Sequence, residues 1–86
     1  MEFIFFSSAF CEPCMQTRAV LAEATRLVPQ ATVSELDVAR DSAEAEANGI
    51  RTTPTVIVRD AAGTEVFRAV GAPTLAQVLV AAAKAL

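Results

Sequence analysis

A chain of 86 residues supports one small hydrophobic core, near the size at which stability becomes marginal without help. A 53% hydrophobic and 20% charged composition excludes intrinsic disorder, which needs low hydrophobicity and high charge. Seven basic against ten acidic residues leave a net charge of −3, and the scattered cations argue against nucleic acid or an anionic membrane as partner. No apolar stretch approaches the ~18 residues of a membrane span. Met1-Glu2-Phe3 lacks the basic start of a secretory signal, and two cysteines are too few for a disulfide-stapled secreted scaffold. The expectation is a single domain over residues 1–86 in a reducing, cytoplasmic compartment.

In chain order, Phe3-Ile4-Phe5-Phe6 is a continuous apolar run, the pattern of a strand covered on both faces. Ser7 to Phe10 reads as a short connection. A helix follows from about Glu12 to Val28, with Val20, Leu21, Ala24, Leu27 and Val28 on one apolar stripe. Pro13 is tolerated in its first turn, where no intrahelical N–H partner is lost, and Pro29 stops it. Ala31 to Val38 predicts a second strand. Asp41 and Glu44 form a capping-box pattern for an alanine-rich helix, and Asn48-Gly49 predicts its end. Thr55 to Arg59 is the strongest strand signal, Asp60-Ala61-Ala62-Gly63 a hairpin turn, and Thr64 to Val70 the returning strand. Thr74 to Leu86 carries Leu75, Val78, Leu79, Ala82 and Leu86 at helical spacing. The predicted order is βαβαββα, an α/β mixed four-stranded sheet flanked by three helices. Arg51, Arg59 and Arg68 read as solvated charges, and Phe10 as a side chain exposed near the cysteines.

The chemistry-bearing stretch is Cys11-Glu12-Pro13-Cys14, which holds the only two cysteines and lies at the first strand-to-helix junction. Unpaired N–H groups and the positive end of a helix dipole favour a thiolate there, which makes Cys11 a nucleophile and Cys14 its resolving partner. A zinc half-site or two structural thiols are the competing readings. A structural zinc takes four Cys or His ligands, and this chain has two Cys and no His, so only a site shared between chains would serve.

Three further segments complete a pattern with the Cys-x-x-Cys: Gly49-Ile50-Arg51-Thr52-Thr53-Pro54-Thr55, the hairpin, and Val70-Gly71-Ala72. Over nearly the whole chain this resembles the thioredoxin family, without the extra N-terminal strand and helix of a full thioredoxin. The resemblance implies a thioredoxin-like fold and a compact thioredoxin/glutaredoxin-like dithiol oxidoreductase. It implies that Cys11 attacks, that Cys14 resolves, and that the pair cycles through a Cys11–Cys14 disulfide with no bound cofactor and no metal. Pro54 matches the family's cis-proline, Thr53 would offer backbone groups to an extended substrate, and Gly71 matches the glycine that leaves room for it. Phe10, Glu12 and Pro13 complete the implied substrate surface. The implied partners are client proteins with disulfides and, as electron donor to a monomer, a thioredoxin reductase or glutathione.

The sequence also departs from the family. Phe10 stands where thioredoxins usually carry tryptophan, and Met15 where a lysine often follows the motif. Phe5 occupies the place of a buried aspartate that assists deprotonation of the resolving cysteine, which leaves that step to water or Glu12. Gly71 alone remains of the paired glycines that bind glutathione, and Pro54-Thr55 differs from the valine–proline of many glutaredoxins. Three functions stay open: a thioredoxin-like protein-disulfide reductase, a glutathione-dependent glutaredoxin-like reductant, and a non-catalytic redox-sensing or metal-sharing domain. Glu12 opposes thiolate formation by like-charge repulsion where it lies close to the sulfur, and so holds the pair on the reducing side. Replacing Glu12 with Gln is therefore expected to raise the reduction potential, measured by equilibration with dithiothreitol; an unchanged or more negative value removes that role.

Overall fold

Four consecutive apolar side chains make the first strand the centre of the sheet. In the computed structural model, which describes residues 1–86, β1 covers Glu2–Ser7. It runs one residue past its predicted end, and Ser7 is buried rather than part of the connection. β1 pairs in parallel with β2 (Thr32–Asp37) on one edge, from Glu2↔Thr32 to Ser7↔Asp37. Its other edge pairs antiparallel with β3 (Thr55–Arg59), which in turn pairs antiparallel with β4 (Glu65–Val70). The sheet order is β2-β1-β3-β4.

The alternation of β1 side chains divides the core in two. Phe3 and Phe5 join Val56 and Val58 on the face covered by α1 (Glu12–Leu27) and α3 (Leu75–Ala85). Ile4, Phe6 and Ile57 face the opposite way, against Ala45 of α2 (Ser42–Ala47) and the half-buried Leu36, Val38 and Ile50. The mixed sheet with helices on both faces is thus as the sequence predicts.

Several details differ from the sequence reading. The buried stripe of α1 is Cys14, Thr17, Leu21 and Ala24, whereas Leu27 is exposed. Thr17 is tolerated there because its hydroxyl donates to the Pro13 carbonyl at 2.8 Å, which leaves no orphaned polar atom. Val33, on the edge strand β2 beside Arg18, Leu21 and Ala22 of α1, is exposed too. No capping box forms at Asp41 and Glu44. The Asp41 carboxylate turns back instead to accept from the Asp37 N–H and the Arg40 guanidinium. The capping box is at α3, where Gln77 N–H donates to Thr74 Oγ1 at 3.1 Å and Thr74 N–H to Gln77 Oε1 at 2.9 Å.

The C-terminus of α2 behaves as expected. Gly49 adopts φ +66°, its N–H bonds the Glu46 carbonyl and the Ile50 N–H bonds that of Ala45, a Schellman arrangement. Two of the three arginines read as solvated are engaged here: Arg59 donates to Asn48 Oδ1, and Arg68 to the Asn48 carbonyl and Glu65. In the hairpin, Asp60 Oδ1 accepts from the Ala62 and Thr64 N–H groups. Thr64 belongs to the turn, so β4 starts one residue later than predicted, and a bulge at Val58/Arg59 leaves Val66 as an extra residue in β4.

Two substitutions separate the buried stripe from the exposed one. Leu21→Ala is expected to lower unfolding free energy by about 2–5 kcal/mol and Leu27→Ala by under about 0.5 kcal/mol, measured by denaturant titration of the oxidised protein. Thr74→Ala should cost about 1 kcal/mol through loss of the cap.

Candidate active site

β1 must hand the chain over to α1 within three residues. Ser8, Ala9 and Phe10 do so, and Phe10 takes the left-handed conformation at φ +56°. For a residue with a Cβ this costs about 1–2 kcal/mol. Its ring gains no burial in return and stands fully in solvent. The reversal brings Cys11 to the N-cap of α1 with extended backbone (φ −106°, ψ 102°). Its Sγ accepts the Cys14 N–H at 3.2 Å, one of the donors that a helix N-terminus leaves unpaired.

Cys11 and Cys14 are joined in a disulfide, with Cα atoms 5.2 Å apart. The two sulfurs occupy different environments. Cys14 is 1% exposed and belongs to the main core, while Cys11 is half-buried at its edge. Burial on an apolar helix face leaves Cys14 out of reach of an external reactant, so the chemistry open to solvent is at Cys11.

The remaining residues singled out from sequence fall around this pair. The Thr53–Pro54 peptide is cis, Pro54 is fully buried, and its carbonyl accepts the Gly71 N–H at 2.8 Å. Thr53 Oγ1 lies 4.0 Å from Cys11 Sγ. Cys11, Thr53, Pro54 and Gly71 therefore form one connected rim. Gly71 has φ +96°, and a Cβ built on it would meet nothing within 4 Å. The backbone conformation, rather than lack of space, demands glycine there. Pro13 and Glu12 are exposed in the first turn of α1.

On the other side of Cys11 a groove of about 610 Å³ runs between the start of α1 and the end of β2. Phe10, Cys11 and Glu12 line it together with Ser7, Arg18 and Glu35. Arg18 holds Glu35 in a two-pronged pair, Nε to Oε1 at 2.8 Å and Nη2 to Oε2 at 2.7 Å. Ser7 Oγ adds a bond to Oε2 at 2.9 Å, and the guanidinium lies 5.8 Å from the Phe5 ring centroid. The hydrogen bond from Arg18 holds the Glu35 carboxyl below the usual carboxylate range, with Ser7 assisting and partial burial opposing. The same bond pushes the Arg18 guanidinium up. Sequence reasoning passed over Ser8, Arg18 and Glu35. Arg18 follows Cys14 by one helical turn and was there to be noticed, but Glu35 reaches the site only through the parallel register Phe5↔Glu35. No group of three or more His, Cys, Asp or Glu side chains is placed to hold a metal, and no helix is long and apolar enough to cross a membrane.

With this geometry the comparisons with known proteins agree. The family model described as Thioredoxin matches residues 2–84, and the chain belongs to the thioredoxin family. Among solved structures it is similar to thioredoxin 1 from the thermophilic eubacterium Thermosipho africanus TCF52B, at 18% identity and TM-score 0.85 over 98% of this chain and 92% of that one. Oxidised thioredoxin from Plasmodium falciparum superposes with TM-score 0.82 at 22% identity, over 99% of this chain and 81% of that one. Oxidised mitochondrial thioredoxin 3 from Saccharomyces cerevisiae gives 0.81 at 20% identity, over 95% and 76%. No curated protein matches at the sequence level. At these identities the structural likeness establishes the thioredoxin-like fold. Family membership and the Cys11–Cys14 disulfide together support a dithiol oxidoreductase.

Glu35 also makes a pH dependence measurable. A carboxyl whose pKa is lower in the folded than in the unfolded state contributes stability above its unfolded value, near pH 4.5, and loses that contribution as pH falls through the folded value. Glu23, Asp41 and Glu65, each beside an arginine, are lowered in the same direction. Unfolding free energy should therefore be flat above about pH 5 and fall below it. Glu35→Gln should cost under about 1 kcal/mol at pH 7, since both partners are substantially exposed, and this difference should shrink toward pH 3. Denaturant titrations at the two pH values check it.

Proposed function

We propose that the protein reduces disulfides in client proteins, with Cys11 as the attacking thiolate and Cys14 as the resolving thiol. The observation that carries this reading is the unequal pair at the N-terminus of α1: one sulfur half-exposed and supplied with an N–H donor, the other buried directly behind it. The Cys11 thiolate attacks one sulfur of a client disulfide, forming a mixed disulfide and expelling the client's other sulfur as a thiolate. Cys14, after giving up its proton, attacks Cys11 Sγ. The second client thiolate leaves and the Cys11–Cys14 disulfide remains, the state that this structure holds. A thiolate near pKa 7 serves this best, because nucleophilicity falls as pKa falls.

The surface around Cys11 suits an extended client segment. No backbone hydrogen bond outside the regular elements uses the Thr53 N–H or carbonyl, so both are free to pair with such a segment in the manner of an added strand. Phe10 and Met15, both strongly exposed beside the disulfide, supply apolar contact. Gly71, next to Pro54, keeps the far side of that surface clear of side chain. Pro54-Thr55, with Gly71 as the only remaining glycine of the glutathione pattern, favours a flavin-dependent thioredoxin reductase over glutathione as the donor that recharges a cytoplasmic monomer.

Dithiothreitol-driven reduction of insulin disulfides tests the reading. The wild-type protein should accelerate precipitation of the insulin B chain, Cys11→Ser should abolish the acceleration, and Cys14→Ser should accumulate a protein–client mixed disulfide. Absence of acceleration, together with zinc in the purified reduced protein, would establish the metal-sharing alternative instead.

A further inference from the structure

Two hydroxyl groups outside the Cys-x-x-Cys motif stand in line with the exposed sulfur. Ser8, immediately after β1, places its Oγ 2.7 Å from Thr53 Oγ1 across a sequence separation of 45 residues. Thr53 Oγ1 in turn lies 4.0 Å from Cys11 Sγ. Each hydroxyl has a single proton to give. In the oxidised protein the disulfide sulfur is a weak acceptor at the limit of hydrogen-bond range, so the 2.7 Å contact dominates.

Reduction changes the balance. A dithiol reductant opens the Cys11–Cys14 bond to a Cys11 thiolate and a Cys14 thiol, leaves as its own disulfide and releases one proton. The thiolate is a charged acceptor, and hydrogen bonds to charged groups are about twice as strong as neutral ones.

Resting on the assignment of Cys11 as the attacking thiolate, we propose that Ser8 is a positioning residue. It donates to Thr53 Oγ1 and thereby commits the Thr53 proton to Cys11 Sγ in the reduced protein. The chain Ser8 Oγ–H to Thr53 Oγ–H to Cys11 S⁻ polarises along its length, so the first hydroxyl strengthens the second. This donor supplements the Cys14 N–H at 3.2 Å. Both counter an acidic surrounding. Glu12 from α1 and Glu35 and Asp37 from β2 line the groove at Cys11, where Arg18 is the one cation and is already bound to Glu35. Arg51 stands on the opposite side, in the cleft with Ser8 and Thr53.

The experiment is the pH dependence of iodoacetamide alkylation of the reduced protein, which reads Cys11 because Cys14 is 1% exposed. Ser8→Ala should lower the acid dissociation constant of Cys11 about threefold and Thr53→Val about tenfold, and Ser8→Ala added to Thr53→Val should change nothing further. Ser8→Thr should restore the wild-type profile, which loss of a merely structural contact would not predict. The proposal is overturned by a Ser8→Ala profile that coincides with wild type, or by a Ser8→Ala effect that persists undiminished without the Thr53 hydroxyl. A wild-type profile at the ordinary cysteine pKa, accompanied by no insulin reduction, overturns the oxidoreductase reading itself. A depressed wild-type profile that is indifferent to Ser8 overturns the relay alone.

Discussion

β1 has no free edge and no free face. Its two hydrogen-bonding edges are taken by β2 and β3, and its side chains from Phe3 to Phe6 are buried alternately above and below the sheet. A one-residue slip would exchange the phenylalanines facing α1 and α3 with Ile4 and Phe6, and would displace both neighbouring registers at once. The end of β1 is therefore a fixed point in the molecule. The turn at Phe10 and the first turn of α1 are built from that point, and the disulfide inherits its position from it. A left-handed phenylalanine with an exposed ring persists here because the strand before it and the helix after it are each held independently.

The asymmetry of the two sulfurs follows from helical geometry. Cys11 is the cap, outside the first turn, while Cys14 lies three residues on, at the start of the stripe that continues through Thr17, Leu21 and Ala24 into the core. Two cysteines at this spacing across a helix N-terminus present one thiol to solvent and conceal the other. Glu35 and Arg18 show how charge is accommodated beside the pair. Phe5 fills the core position six residues before Cys11, and the Glu35 carboxylate, on the edge strand at the groove, is paired with Arg18 and substantially exposed.

Much of this was legible in the sequence because the signals are local. The apolar run of β1, the Cys-x-x-Cys after it, the Asn48-Gly49 stop and the Asp60–Gly63 turn each depend on residues a few positions apart. The errors arose where a side chain is governed by something distant. Leu27 and Val33 are apolar and correctly spaced, yet one is the last residue of α1 and the other stands on the edge strand, and both are exposed. Asp41 has the right neighbour for a capping box, but Arg40 and the Asp37 N–H compete for its carboxylate. Arg59 and Arg68 looked solvated because an acceptor of each belongs to Asn48, at the end of another element. Ser8 carried no signal at all, since its partner Thr53 approaches only after β1 and β3 have paired.

The clamp on Asn48 bears on how the molecule comes apart. α2 has six residues, contributes Ala45 as its single buried side chain, and covers the smaller of the two apolar clusters. Its attachment depends heavily on two arginines from the hairpin and on the closure of its own C-terminus. Such an element detaches at a fraction of the free energy of global unfolding. Its amides should exchange with solvent as one early unit, while those of β1, α1 and α3 wait for complete unfolding. The disulfide is anchored on the other layer, so the protein can shed one side of its sheet transiently and keep its redox chemistry assembled.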